Sequence, residues 1–266
     1  MFVFDNFLII AKKRIFDTEM IGVYDSGVGG LSVLKELLRE MPGEDYDYFS
    51  DGAYCPYGPK PPQEIVLRAR TITEDFLRRG AEMIVVACNT ATAAAIAELR
   101  ARYLIPFIGM EPAIKPAALR SASGVVGVLA TAGTFKGRLY LSTLARFASD
   151  VKVIEQVGTG LVEAVEKGDF NSPQLVALLR GYIEPMVEAG ADHIVLGCTH
   201  YPFLEEAIRK IAGEGVTIVN PAPAVARHAR KVLSTLRPPR TEGCGTRTFR
   251  SSGDDTVLRQ LASRLI

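Results

Sequence analysis

An eleven-residue segment of this chain occurs twice. Gly80-Ala81-Glu82-Met83-Ile84-Val85-Val86-Ala87-Cys88-Asn89-Thr90 returns 110 positions later as Gly190-Ala191-Asp192-His193-Ile194-Val195-Leu196-Gly197-Cys198-Thr199-His200. Each copy follows a stretch of helical period that ends in Gly, runs through a short apolar stretch and reaches a cysteine where a strand would end. A weaker match pairs Ile21-Gly22-Val23-Tyr24-Asp25-Ser26 with Val126-Gly127-Val128-Leu129-Ala130-Thr131, at an offset of 105. Solenoid repeats recur every 20 to 50 residues or about that. Copies this far apart mean that a whole domain was duplicated, into two similar halves of roughly 100 residues each.

The remaining pattern supports two α/β halves. Apolar runs rich in Val and Ile, at 21–24, 46–50, 83–87, 107–109, 125–129, 152–156, 193–197 and 217–219, alternate with helical periods at 30–40, 62–79, 92–102, 137–147, 174–189, 201–212 and 223–236. That alternation predicts mostly parallel sheets covered by helices on both faces. The expected fold class is therefore two α/β domains related by pseudo-two-fold symmetry, with the active site in the cleft between them. We place the first domain at 20–114 and 221–266 and the second at 115–220. The connection at 237–245, rich in Pro, Gly and Arg, is expected to be exposed. Residues 1–19 form an N-terminal extension whose apolar run precedes its positive charges, the reverse of a signal peptide, and is too short for a membrane span.

Charge and cysteine usage narrow the function. The 31 Lys and Arg against 30 Asp and Glu leave a net charge of +1 and no basic block, so nucleic acid is a poor partner. The four cysteines, Cys55, Cys88, Cys198 and Cys244, lack the close spacing of a disulfide framework or zinc ribbon. A reducing cytoplasm fits best. Carboxyl ends of parallel strands are where such folds bind ligands, so Cys88 and Cys198 are expected to face one cleft. Two thiols suit the inversion of a Cα centre, which removes a proton on one face and supplies one on the other. A thiol serves as either acid or base because its pKa can be tuned toward neutrality.

The motifs then resemble a known family. Asp25-Ser26-Gly27-Val28-Gly29-Gly30, the loop from Asp51 through Pro56-Tyr57-Gly58-Pro59-Lys60, Cys88-Asn89-Thr90-Ala91-Thr92 and Leu196-Gly197-Cys198-Thr199-His200-Tyr201-Pro202 together resemble bacterial glutamate racemase. The resemblance implies interconversion of L- and D-glutamate for peptidoglycan, with no pyridoxal phosphate, metal or other cofactor, in a two-domain fold that is often dimeric. It carries over Cys88 and Cys198 as the proton donor and acceptor pair, with Asp25 and His200 assisting and Glu166 near the second cysteine. Asp25, Ser26, Tyr57, Gly58, Asn89, Thr90, Thr131, Thr134, Thr199 and His200 become substrate-binding positions.

Other readings stay open at this level. Asp25 and Ser26 sit where they would cap the helix beginning near Gly30, and Glu166 fits an ordinary solvated helix position equally well. Cys55 is expected to be unreactive although its loop flanks the site, and Cys244 incidental. An aspartate racemase of the same family, a two-lobed amino-acid-binding protein, and a zinc site made of Cys88, Cys198 and His200 are the alternatives.

Overall fold

The computed structural model describes residues 19–265 apart from 112 and 149, so the extension expected at 1–19 lies, but for Glu19, outside the described residues. The chain opens with β1 (Met20–Asp25), α1 (Leu31–Glu40), β2 (Asp45–Ser50), α2 (Pro62–Arg78), β3 (Ala81–Val86), α3 (Asn89–Arg102), β4 (Phe107–Gly109) and α4 (Ile114–Arg120). Next come β5 (Val125–Ala130), α5 (Ala132–Phe135), α6 (Arg138–Phe147), β6 (Lys152–Val157), α7 (Leu161–Glu166), α8 (Pro173–Glu188), β7 (His193–Gly197), α9 (Glu205–Ala212) and β8 (Thr217–Val219). The C-terminal part supplies α10 (Ala222–Leu233), β9 (Arg247–Ser251) and α11 (Thr256–Leu265).

Two parallel sheets result, ordered β4-β3-β1-β2-β9 and β6-β5-β7-β8. Read in reverse, the second sheet is β8-β7-β5-β6, the same order as β4-β3-β1-β2. The repeated segments therefore occupy equivalent strands, β3 and β7, each next to the first strand of its half. Both strands are buried on both faces, as parallel strands under helices must be. Leu31, Val33, Leu34 and Leu37 of α1 turn inward while Lys35, Glu36 and Arg39 stay at the surface. This apolar face joins one continuous core with Val225, Ala229 and Leu233 of α10 and Leu258 and Leu261 of α11, and it reaches Leu161, Val165 and Leu196 in the second half.

The structure departs from the sequence pattern at two places. Helix α3 begins at Asn89, three residues earlier than the periodicity suggests, which makes Cys88 its N-cap. The strand β9 and helix α11 were not expected. Only Phe249 of β9 carries apolar periodicity, packed on Tyr48 at 6.3 Å between ring centroids, while Arg250 reaches Asp47 and Asp75 at 2.8 Å each.

The connection after α10 is exposed at Pro238 and from Thr241 to Cys244, as expected, and its arginines anchor it. Arg237, 14% exposed, bridges Glu44 at 2.6 Å and Glu82, and Arg240 reaches Glu44 at 3.1 Å and Asp45 at 3.0 Å. The Glu44 side chain is fully buried, so these cations neutralise a carboxylate that burial would otherwise disfavour. Removing one partner of such a cluster strands the others. Arg237→Ala should lower the unfolding free energy by about 3 kcal/mol in a denaturant titration; a change under about 0.5 kcal/mol, the level of an ordinary surface substitution, would show that Glu44 is adequately held without it.

Candidate active site

The two cysteines sit at equivalent exits from their sheets. Cys88 follows β3 and accepts the Ala91 N–H at 3.4 Å, so its sulfur rests on the N-terminus of α3, where the unpaired amides of a helix favour negative charge. Its S–H donates to Ser26 Oγ at 3.7 Å. Burial pushes the Cys88 thiol up to about 12, and the nearby charges of Asp25 and Cys198 add to this, while the Ala91 N–H and Ser26 hydroxyl oppose it. In this state Cys88 is a thiol.

Cys198 follows β7 and meets a different partner. Its Sγ lies 3.6 Å from His200 Nδ1, and His200 Nε2 is 2.6 Å from Glu166 Oε1. The same oxygen accepts the Val28 N–H at 2.7 Å. Burial works against charge on His200, but its contacts with Cys198, Cys55 and Glu166 outweigh that and hold the imidazole well above its usual range. Burial likewise raises Glu166, yet His200 and the Val28 N–H bring it below the ordinary carboxylate range. The pair is a charged imidazole on a carboxylate. Glu166 is thus the inward-facing residue of the two readings left open for it.

Asp25, at the end of β1, is completely buried. Its Oδ1 accepts the Gly27 N–H at 2.8 Å and the Ser26 hydroxyl at 3.2 Å, and its Oδ2 accepts the Thr199 hydroxyl at 2.7 Å from the other half. The helix-cap reading fails, since α1 is capped by Gly30 without any side-chain bond. Asp25 touches Cys88 only through Ser26, in a chain running Cys88 S–H to Ser26 Oγ to Asp25.

The cleft between the halves is nearly closed, with a cavity volume of about 10 Å³, no more than one water molecule needs. Cys88, Cys198, Ser26, Tyr57, Gly58, Asn89, Thr90, Thr131, Thr199 and His200 all line it. Asp25, Glu166 and Thr134 stand behind that lining; Thr134 bonds Thr131 Oγ1 at 2.9 Å, and Thr131 in turn bonds Thr90 at 2.8 Å across the halves. Asn89 differs from its neighbours. It is buried, yet neither its amide oxygen nor its nitrogen has a partner. Buried amides are normally satisfied, so Asn89 is poised for a polar ligand. Tyr57 contributes a wall, because its hydroxyl turns away to Asp51, which Arg68 clamps at 2.7 and 2.9 Å.

The sequence reading missed Pro56 and Val162, which also line the cleft, and Ser32, whose hydroxyl bonds the Thr199 carbonyl across the halves at 2.9 Å. No spacing rule singles out such residues; a contact 167 positions away in sequence is invisible to it. Gly29 was legible only as part of a turn. Any Cβ there would strike His200 and Thr199, so it permits the two halves to close. Among the described residues, the one group of three ligand-type side chains that converges is Cys55, Glu166 and His200, not Cys88, Cys198 and His200.

Comparison with known proteins shows the family to which this fold belongs. A family model described as Asp/Glu/Hydantoin racemase matches residues 21–229. The chain is similar to the glutamate racemase of Roseiflexus sp. (strain RS-1), 48% identical over 92% of this chain and 91% of that one. It is also similar in structure to Escherichia coli glutamate racemase in complex with L-glutamate and the activator UDP-MurNAc-ala, with TM-score 0.83 and 32% identity over 93% of this chain and 95% of that one. The Francisella tularensis glutamate racemase in complex with D-glutamate gives TM-score 0.80 and 26% identity over 94% of each chain. With its duplicated parallel sheets, its facing strand-end cysteines and similarity over nearly the full length of its relatives, the chain belongs to the Asp/Glu/hydantoin racemase family.

Proposed function

We propose that the protein interconverts L- and D-glutamate by passing the Cα proton between Cys88 and Cys198, without pyridoxal phosphate or a metal. The observation that carries this reading is the pair of thiols at equivalent strand ends, both lining one narrow cleft beside the unpartnered amide of Asn89.

In the L-to-D direction, Cys198 as thiolate takes the Cα proton, and the His200 imidazolium facing it stabilises that starting charge. Cys88 delivers its S–H proton to the opposite face and is left as thiolate. The electron pair passes meanwhile into the substrate carboxylate, where Asn89 and the N-terminus of α3 can meet it in a site that water barely enters. The D-to-L direction needs Cys88 to begin as thiolate. Transfer of its proton through Ser26 to Asp25 neutralises the carboxylate and so removes the repulsion that adds to burial in keeping Cys88 protonated. The resemblance to the family adds a cytoplasmic homodimer that supplies D-glutamate for peptidoglycan. Among the described residues no helix is long and apolar enough to cross a membrane.

Reaction of L-glutamate in heavy water tests the two-base scheme. Thiols exchange with solvent, so newly formed D-glutamate should carry deuterium at Cα in nearly every molecule. D-glutamate that retains the substrate hydrogen would mean that one base shuttles the proton, and the scheme would fall.

A further inference from the structure

The thiol of Cys55 has no part in these proton transfers, yet it lies at the edge of the cleft. Its Sγ, a carboxylate oxygen of Glu166 and a ring nitrogen of His200 all fall within 4.8 Å of one another. The three come from separate segments: the loop after β2, the end of α7 and the turn after β7. They offer a thiolate, a carboxylate and an imidazole, the three donor types that zinc accepts. The surrounding contacts are of the kind that orient metal ligands. Val28 N–H holds Glu166 Oε1 at 2.7 Å, and Cys198 engages the other ring nitrogen of His200 at 3.6 Å. Gly27 keeps the space clear, since a Cβ there would collide with the Glu166 carboxylate and crowd Cys55 Sγ.

We propose that Cys55, Glu166 and His200 form a binding site for a thiophilic divalent cation of the zinc class, and that filling this site arrests racemisation. Tetrahedral zinc, with N and O ligands at about 2.0–2.1 Å and sulfur at about 2.3 Å, spaces its ligand atoms about 3.3–3.6 Å apart. The His200–Glu166 pair, now at 2.6 Å, has to open by less than about 1 Å, and Cys55 has to draw in from within 4.8 Å. The Cys55 S–H proton and the His200 imidazolium Nε2–H proton leave to solvent as the metal–sulfur and metal–nitrogen bonds form. Three protein ligands leave the fourth position to water. The metal breaks the His200–Glu166 hydrogen bond that sets the imidazole on Cys198, which is why occupancy stops turnover. This last step rests on the function proposed above; the binding itself does not.

The test uses the Cys244→Ser protein, in which the one exposed thiol is removed, titrated with Co²⁺ while thiolate-to-metal charge-transfer absorption is followed. One equivalent per chain should bind with that band, and Zn²⁺ should displace it. Adding Cys55→Ser should abolish the band and weaken binding at least 30-fold. Zn²⁺ should inhibit racemisation by the parent more than tenfold, reversibly on chelation, and the activity of the Cys55→Ser protein should not respond to the same concentrations. Absence of the band in the parent, or a band that survives Cys55→Ser and is lost in Cys88→Ser or Cys198→Ser, overturns the site. A protein that binds cobalt through Cys55 but does not racemise glutamate keeps the site and removes the proposed activity.

Discussion

Cys88→Ala and Cys198→Ala will each abolish racemisation of glutamate, by at least about a thousandfold, because a positioned acid or base contributes about 10² to 10⁴ in rate and each turnover uses both. Neither thiol can cover for the other. Cys88 rests on the N-terminus of α3 and Cys198 on His200, at the ends of different sheets. Losing one Sγ at a cleft edge removes little packing, so both variants should fold and bind glutamate; circular dichroism and calorimetry would establish this. A substrate with a β leaving group separates the roles, since elimination needs a single deprotonation. Cys88→Ala should still process the L form and Cys198→Ala the D form. Racemisation near the wild-type rate in either alanine variant would end the two-cysteine account.

These two residues were legible in the sequence for a physical reason. Duplication leaves the same strand in two places, a parallel strand buried on both faces reads as an unbroken apolar run, and the first polar or reactive residue after it marks the ligand edge. What the sequence withheld depends on the other half of the molecule. Helical period assigns Glu166 to a face of α7 but cannot say that Val28 and His200 wait on that face. The Thr199 hydroxyl that meets Asp25 comes from 174 residues away. Strand β9 escaped notice because charge pairing with Asp47 and Asp75 anchors Arg250, where apolar alternation would have been readable. By sequence Cys55 is only an unreactive thiol in a loop flanking the site, and folding places Glu166 and His200 beside it.

Asp25→Asn should make the protein more stable and less active, and the gain in stability should depend on pH. Asp25 is fully buried and accepts hydrogen bonds only from Gly27 N–H and the hydroxyls of Ser26 and Thr199. Burial pushes its carboxyl up to about 6, with His200, Thr199 and the Gly27 N–H pulling the other way. The folded protein therefore holds this proton more tightly than the unfolded chain, whose Asp titrates near 3.9 or about that. The favourable contribution is complete below about pH 4 and is lost as pH rises through about 6. Two pKa units correspond to about 3 kcal/mol. An asparagine keeps an oxygen for Gly27 N–H and offers its NH₂ to Thr199 Oγ1, which changes from donor to acceptor, so the bonds survive without the charge. In urea titrations the Asp25→Asn protein should match the wild type near pH 4 and exceed it by about 2–3 kcal/mol above pH 7. Racemisation should fall about a hundredfold, most of all from D- to L-glutamate, because an amide cannot receive the Cys88 proton relayed by Ser26. A stability difference that does not change with pH would assign the effect to packing alone. An undiminished D-to-L rate would remove Asp25 from the proton path.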